Sequence, residues 1–469
     1  MKVLFVSAEA RPFAASGGLA DVAGSLPKAL RNKKIACRVV MPYYSSMTDE
    51  MKSRCRFVKS FYVKLGWRNQ YCGLFEANVD GVVYYLLDNE YYFKRGSLYG
   101  EYDDGERFAF FSKAVLEMLR YVAFSPDVIH LNDWQTGLVP VYLNAMYRHE
   151  DKFRNIKTVF TIHNIQYQGQ FGEFLLEDVY GLSDRERPVL EYKSCINVMK
   201  GAIQSSNAVT TVSETYAGEI MRPENAFGLD DFLRENSFKI SGIVNGIDMV
   251  YYNPENDKDI YSPFKKAEPQ GKVLNKRGLM KEFGLKDESK PIVAMVTRLV
   301  DAKGLDLVVR CFSEMMDRGI NFVLLGSGDE KYQSFFSDMA EKYKGSVGVK
   351  IGFIPSLAKK IYAGADVFLM PSRSEPCGLA QMVSLLYGTI PVVREVGGLK
   401  DTINDCSLGE GNGFTFREYN HMDMLRAIDH ALRVYSDKED WDKLVASALK
   451  SDFSWKKAAD KYIELYMGL

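Results

Sequence analysis

Twice along this chain, apolar runs of strand length alternate with helix-like segments, and nearly every run ends in a polar or glycine-containing motif. Consecutive parallel strands need a crossover, usually a helix, so this alternation predicts α/β architecture with doubly wound parallel sheets. In the first half the strands are VLFV near the start, RVVMPYY, DVIHL, KTVFTIHN and NAVTTVS. FYVKLGW, YCGLFEANV and VVYYLLDN add an extra hairpin region of β-branched and aromatic residues. A tyrosine-rich insert, DNEYYF to ERFAFF, reads as a polar loop before a helix at KAVLEMLRYVA. The second series runs through IVAMVTR, NFVLLGSGD, VKIGFIP, DVFLMPS and PVVREVGG, with GFTF as a short edge element. At 469 residues the chain exceeds one ordinary core. We therefore expect two Rossmann-like domains at 1–244 and 245–452, joined at the Asn-Gly-Ile-Asp turn, whose polar sequel runs through Lys276. The tail 453–469 has helical apolar spacing and is expected to pack back on the first domain.

In open parallel sheets, ligands bind beyond the carboxyl ends of the strands, where this chain carries its polar motifs. The strand ADVFLM gives way to Pro371, Ser372 and Glu375, then Pro376, Cys377 and Gly378, before a helix at LAQMV. Glu375 is placed to hold sugar hydroxyls or to act as an acid or base; a helix-cap carboxylate is the plainer alternative. Arg298 and Lys303 share one loop, where two cations ~4 Å from a diphosphate would each contribute roughly 4 kcal/mol. An ordinary surface salt bridge is their bland reading. His163 and Asp133 end strands of the first half, the one readable as a core histidine and the other as a helix cap. Gly17 and Gly18 suit a tight turn that presents backbone amides. Asp103-Asp104 reads as an exposed charged loop.

Several function classes are excluded at this stage. A formal net charge of −1 gives no reason to expect a nucleic-acid partner. Apolar runs of strand length argue against a membrane span. Seven scattered cysteines with no CxxC pair fit a reduced, cytoplasmic setting. Neither HExxH nor a Cys/His cluster is present, so no metal is expected, and no GxGxxG supports a nicotinamide dehydrogenase.

Taken in order, SGGLADVAGSLPKAL, HLNDWQTGLVP, FTIHNIQYQGQF, VNGIDMVYYNP, TRLVDAKGLDL, PSRSEPCGLAQM and GGLKDTI resemble the bacterial glycogen synthase (starch synthase type) family over nearly the whole chain. That resemblance implies the GT-B fold, two domains facing across a cleft, and transfer of glucose from ADP-glucose to the non-reducing end of an α-1,4-glucan with retention. No metal cofactor is implied. By resemblance, Arg298 and Lys303 bind the diphosphate, Glu375 holds the glucose, and His163 and Asp133 stand near the reacting centre. Gly17, Gly18, Asn245, Phe353, Cys377, Gly378 and Leu379 are implied on the donor side, and Tyr99 and Tyr167 on the acceptor side. One departure stands out: Ala15 occupies the place where the family commonly has lysine. UDP-glucose or another sugar nucleotide as donor, and a catalytically impaired glucan-binding homologue, therefore remain alternatives.

Overall fold

The computed structural model describes residues 1–265 and 271–469, so 266–270 of the polar stretch after Asp248 lie outside the described residues. The chain divides into two compact units, 1–246 with 455–469, and 247–454. Both expected boundaries move two residues along the chain. The reason is local: Ile243 N bonds Thr211 O within the first unit. Ile247 N instead donates to Phe453 O at 2.8 Å within the second.

The first unit is built on β1 (Lys2–Val6), β2 (Ala36–Pro42), β3 (Arg56–Leu65), β4 (Arg68–Val79), β5 (Val82–Asp88), β6 (Val128–Asn132) and β7 (Lys157–Ile162). A small antiparallel sheet of β8 (Gln170–Phe171), β9 (Glu191–Tyr192) and β10 (Cys195–Asn197) follows. The main sheet is then completed by β11 (Ala208–Thr211) and β12 (Ile240–Gly242). Its nine strands lie in the order β12-β11-β7-β6-β1-β2-β5-β4-β3. Only β4 runs against its neighbours, so β3, β5, β2, β1, β6, β7, β11 and β12 all point the same way. The central strands β1, β6 and β7 are almost wholly buried, as a sheet covered on both faces requires.

The helix expected at KAVLEMLRYVA in fact spans Asp104–Met118. Its first turns, polar in sequence, are held by ion pairs: Arg107 with Asp104 behind the chain, and Arg95 with Asp103 at 2.7 Å. Asp103 and Asp104 are therefore not an exposed loop; buried partners convert an apparently solvated stretch into a helix start.

The closing helix Trp455–Met467 packs on the helix Gly18–Asn32. Its Tyr466 hydroxyl lies 2.6 Å from Nδ1 of the buried His130, whose Nε2 meets Thr161 Oγ1 at 2.6 Å. Each imidazole nitrogen thus has a partner, which a histidine inside a parallel sheet demands.

The second unit carries β13 (Ile292–Val296), β14 (Asn321–Gly326), β15 (Val347–Ile351), β16 (Val367–Met370), β17 (Ile390–Arg394) and β18 (Phe414–Phe416). All are parallel, in the order β15-β14-β13-β16-β17-β18, with GFTF at one edge. The reversal of strand order beside β13 and β16 creates the switch point where a ligand crevice is expected. The loops bearing Arg298, Lys303 and Glu375 leave from those two strands.

Candidate functional site

In the first unit, the segment after β1 carries Glu9, which is 2% exposed and whose carboxylate accepts from the Ser16 amide. That bond fixes the approach to Gly17 and Gly18. Gly17 has extended backbone (φ −166°), so it does not itself turn the chain. Gly17 is instead the N-cap of a fifteen-residue helix, no side chain caps it, and a Cβ there would meet nothing within 4 Å. The glycine leaves room beside a helix N-terminus, whose free amides and dipole favour an anion.

β6 ends at Asn132, and Asp133 adopts φ 57° and ψ 174°, a backbone region that disfavours side chains. The side chain does not cap the following helical turn; Thr136 Oγ1 bonds the Asn132 amide instead. Asp133 Oδ1 accepts from the amides of His163 (2.7 Å) and Asn164 (3.4 Å), tying the end of β6 to the end of β7. Burial nevertheless dominates and pushes this carboxyl up to about 7.

The tautomer of His163 follows from its neighbour. Asn132 Nδ2 donates to Val6 O at 2.9 Å, so Asn132 Oδ1 is an acceptor and His163 Nε2, 2.9 Å away, must donate to it. Burial lowers the ring to about 3, so it stays neutral and presents Nδ1 as an acceptor, suited to a hydroxyl and unsuited to giving up a proton. Sequence reading named His163 and Asp133 but missed Asn132 and Glu9. Contacts 126 residues apart along the chain leave no local signature.

One further position holds a buried polar atom without a hydrogen-bond partner among the described residues: Asn245 Oδ1. An orphaned buried oxygen costs about 1–3 kcal/mol, so such atoms mark places where a ligand or water would be welcome. Tyr99 stands near Glu9, Ser16 and Asp133. Tyr167 is 54% exposed, with its amide bonded to Asn164 O at 3.3 Å.

In the second unit, Lys303 Nζ lies 2.8 and 2.7 Å from the two carboxylate oxygens of Glu375, and Ser372 Oγ donates to the same carboxylate at 3.0 Å. Glu375, 6% exposed, is therefore an ion-paired group held five residues before its helix (Ala380–Leu386) and does not cap it. Arg298 is exposed, and among the described residues no ion pair engages its guanidinium. The two expected phosphate cations thus differ: one is committed to a carboxylate and the other is available.

The loops are locked by close backbone packing. Gly304 (φ 70°) has no room for a side chain, since a Cβ would fall 1.9 Å from Pro371 O. Arg373 N donates to Ala302 O at 2.9 Å, and Arg394 Nη1 donates to Arg373 O at 3.1 Å. Gly397 (φ 43°) similarly presses on Glu375 O. Gly304→Ala is expected to cost about 2–3 kcal/mol and to displace Lys303. Urea denaturation and kcat measured together would check this; a variant with both unchanged would show the contact to be soft.

Cys377, Gly378 and Leu379 form the turn that follows. Gln381 Nε2 donates to Gly378 O (2.8 Å) and Cys377 O (3.2 Å), which fixes the orientation of those peptides. Phe353, after β15, is 83% exposed and fits a stacking surface.

This arrangement agrees with what the chain is similar to. A family model described as the starch synthase catalytic domain matches residues 2–235, and one described as glycosyl transferases group 1 matches 277–446. The glycogen synthase of Geobacillus thermodenitrificans is 50% identical, covering 99% of this chain and 97% of that protein. The glycogen synthase of Clostridium botulinum strain Alaska E43 is 48% identical, covering 100% and 99%. Among solved structures, the catalytic domain of starch synthase IV from Arabidopsis thaliana, bound to ADP and acarbose, superposes with a TM-score of 0.92. It is 34% identical, covering 99% of this chain and 98% of that one. A sucrose-phosphate synthase from Thermosynechococcus elongatus shares the fold (TM-score 0.61, 17% identity, covering 100% and 98%).

Proposed function

The chain belongs to the glycogen and starch synthase family of GT-B glycosyltransferases, and from that premise we propose that it transfers glucose from ADP-glucose to the non-reducing end of an α-1,4-glucan, with retention of configuration. The observation that carries this reading is the Lys303–Glu375–Ser372 cluster on the same strand-end edge as an available Arg298. It pairs an acceptor for sugar hydroxyls with cations for a departing diphosphate.

As the glycosidic bond breaks, negative charge grows on the diphosphate and positive charge on the sugar. Arg298 stabilises the first, worth about 4 kcal/mol at close range before desolvation, and the Lys303 ammonium, shared with Glu375, adds a smaller part. Glu375 stabilises the second, its carboxylate held in place by Lys303 and Ser372. The amides at Gly17 and Gly18 add a fixed positive end. Neutral His163 accepts a hydroxyl hydrogen at Nδ1 and orients the sugar. With no side chain serving as a covalent nucleophile, retention follows from attack on the face the diphosphate leaves, its oxygen taking the proton of the incoming hydroxyl.

We propose that these cations act in place of a divalent ion. A cytoplasmic setting is proposed too: all seven cysteines are free, and no described helix is long and apolar enough to cross a membrane.

The test is ADP release and chain extension with ADP-glucose and glycogen, against a panel of UDP-, GDP- and other glucose donors. Turnover confined to a non-adenine donor would overturn the donor assignment. Ala15, exposed next to the helix N-terminus, is the observation that keeps UDP-glucose as a second reading. If the position faces the donor, Ala15→Lys should lower the KM for ADP-glucose about tenfold. An unchanged kcat/KM would show that another group serves this place.

A further inference from the structure

We propose that the tip of the β3–β4 hairpin is a distal binding site for the acceptor glucan, with Trp67 as its platform, several glucose units away from the reacting end. The proposal deepens the functional reading above and rests on it for the identity of the ligand.

Trp67 is 75% exposed, yet its position is firmly set. Its Nε1 donates to Asp178 Oδ1 at 2.9 Å, and the Arg68 guanidinium stacks 4.5 Å from its ring centroid. Arg68 is fixed in turn by Asp178 O (2.8 Å), Asp178 Oδ2 (3.2 Å) and Glu106 (3.2 Å). Gly66 (φ 56°) lets the turn press so closely that a Cβ would fall 2.2 Å from Asp178 O. Phe174, one helical turn before Asp178, is 72% exposed.

Holding a large apolar ring still in water costs side-chain entropy and buries little surface in return. A fixed, exposed indole edged by a carboxylate and a guanidinium suits one class of ligand. A pyranose offers an apolar C–H face to the ring and hydroxyls to the charged groups at its rim.

Topology places this platform on the correct edge. β3 is antiparallel to β4 and β4 to β5, so β3 runs with β5, β2, β1 and β6. The tip after Leu65 therefore lies on the same carboxyl-end edge as Asp133 and His163. It is four strand positions from β1, about 20 Å along the sheet. A short oligosaccharide held at the reacting end does not span that distance, and a long glucan branch does.

The experiment compares initial rates with ADP-glucose on maltotriose, maltoheptaose and glycogen, alongside native electrophoresis in glycogen-containing gels. In Trp67→Ala the KM for the two long acceptors should rise about tenfold and gel retardation should fall, with maltotriose kinetics unchanged. Trp67→Phe, which keeps a ring and loses the Asp178 bond, should fall between. Equal changes on all three acceptors, or none, would overturn the proposal. So would a change in molar mass by light scattering, which would assign the tip to self-association. If the wild type turns over no acceptor, the functional reading fails, and glycogen retardation still decides the site.

Discussion

Glu375→Ala should lower kcat by about a thousandfold while leaving ADP affinity within about threefold. The carboxylate is the sole ion-pair partner that the structure gives Lys303 among the described residues. Removing it deletes stabilisation of the sugar cation and frees an ammonium for the nucleotide. The two effects separate by measurement: single-turnover rates for the first, calorimetry with ADP for the second. Glu375→Gln keeps the shape and the Ser372 contact but loses the charge. It should resemble the alanine variant in rate if electrostatics dominates. A glutamine variant within about tenfold of wild type would instead make Glu375 a hydrogen-bonding group only.

The second large effect concerns Asp133. Its carboxyl titrates near 7 in the folded protein against 3.8 for the free group. If its charge supports the positive sugar, kcat/KM should rise with pH through about 7. Asp133→Asn should remove that limb and lower the plateau about a hundredfold. Stability should move the opposite way. Between roughly pH 4 and 7 the folded state holds a proton that the unfolded chain has lost, so this group's contribution is complete below 4 and disappears as pH rises through 7. The asparagine variant should therefore gain most at pH 8, by up to about 2 kcal/mol after solvent screening. Urea midpoints at pH 5 and 8 would check it; an equal change at both would assign the effect to the φ 57° backbone instead.

The alternation of strands and helices was legible because buried parallel strands must be continuous apolar runs, and DVIHL, KTVFTI and DVFLM are such runs. Placing Glu375, Arg298 and Lys303 on one edge followed from that alternation alone. What stayed hidden depended on partners distant in sequence. The helix starting at Asp104 is stabilised by the buried Arg107 and the half-buried Arg95, and a run of charges gives no sign of that. The Lys303–Glu375 pair joins residues 72 positions apart, so two side chains assigned separate duties in sequence prove to be one unit. The state of His163 depends on an asparagine bonded to β1.

The closing helix has a consequence for how the molecule is assembled. Residues 455–469 complete the first unit, yet they follow all of the second in the chain. On a ribosome, the second unit can finish folding while the first still lacks the helix that supplies Tyr466 to His130. The unit that begins to emerge first is thus the last to be finished, and until then its helix Gly18–Asn32 has an uncovered apolar face for chaperones to meet.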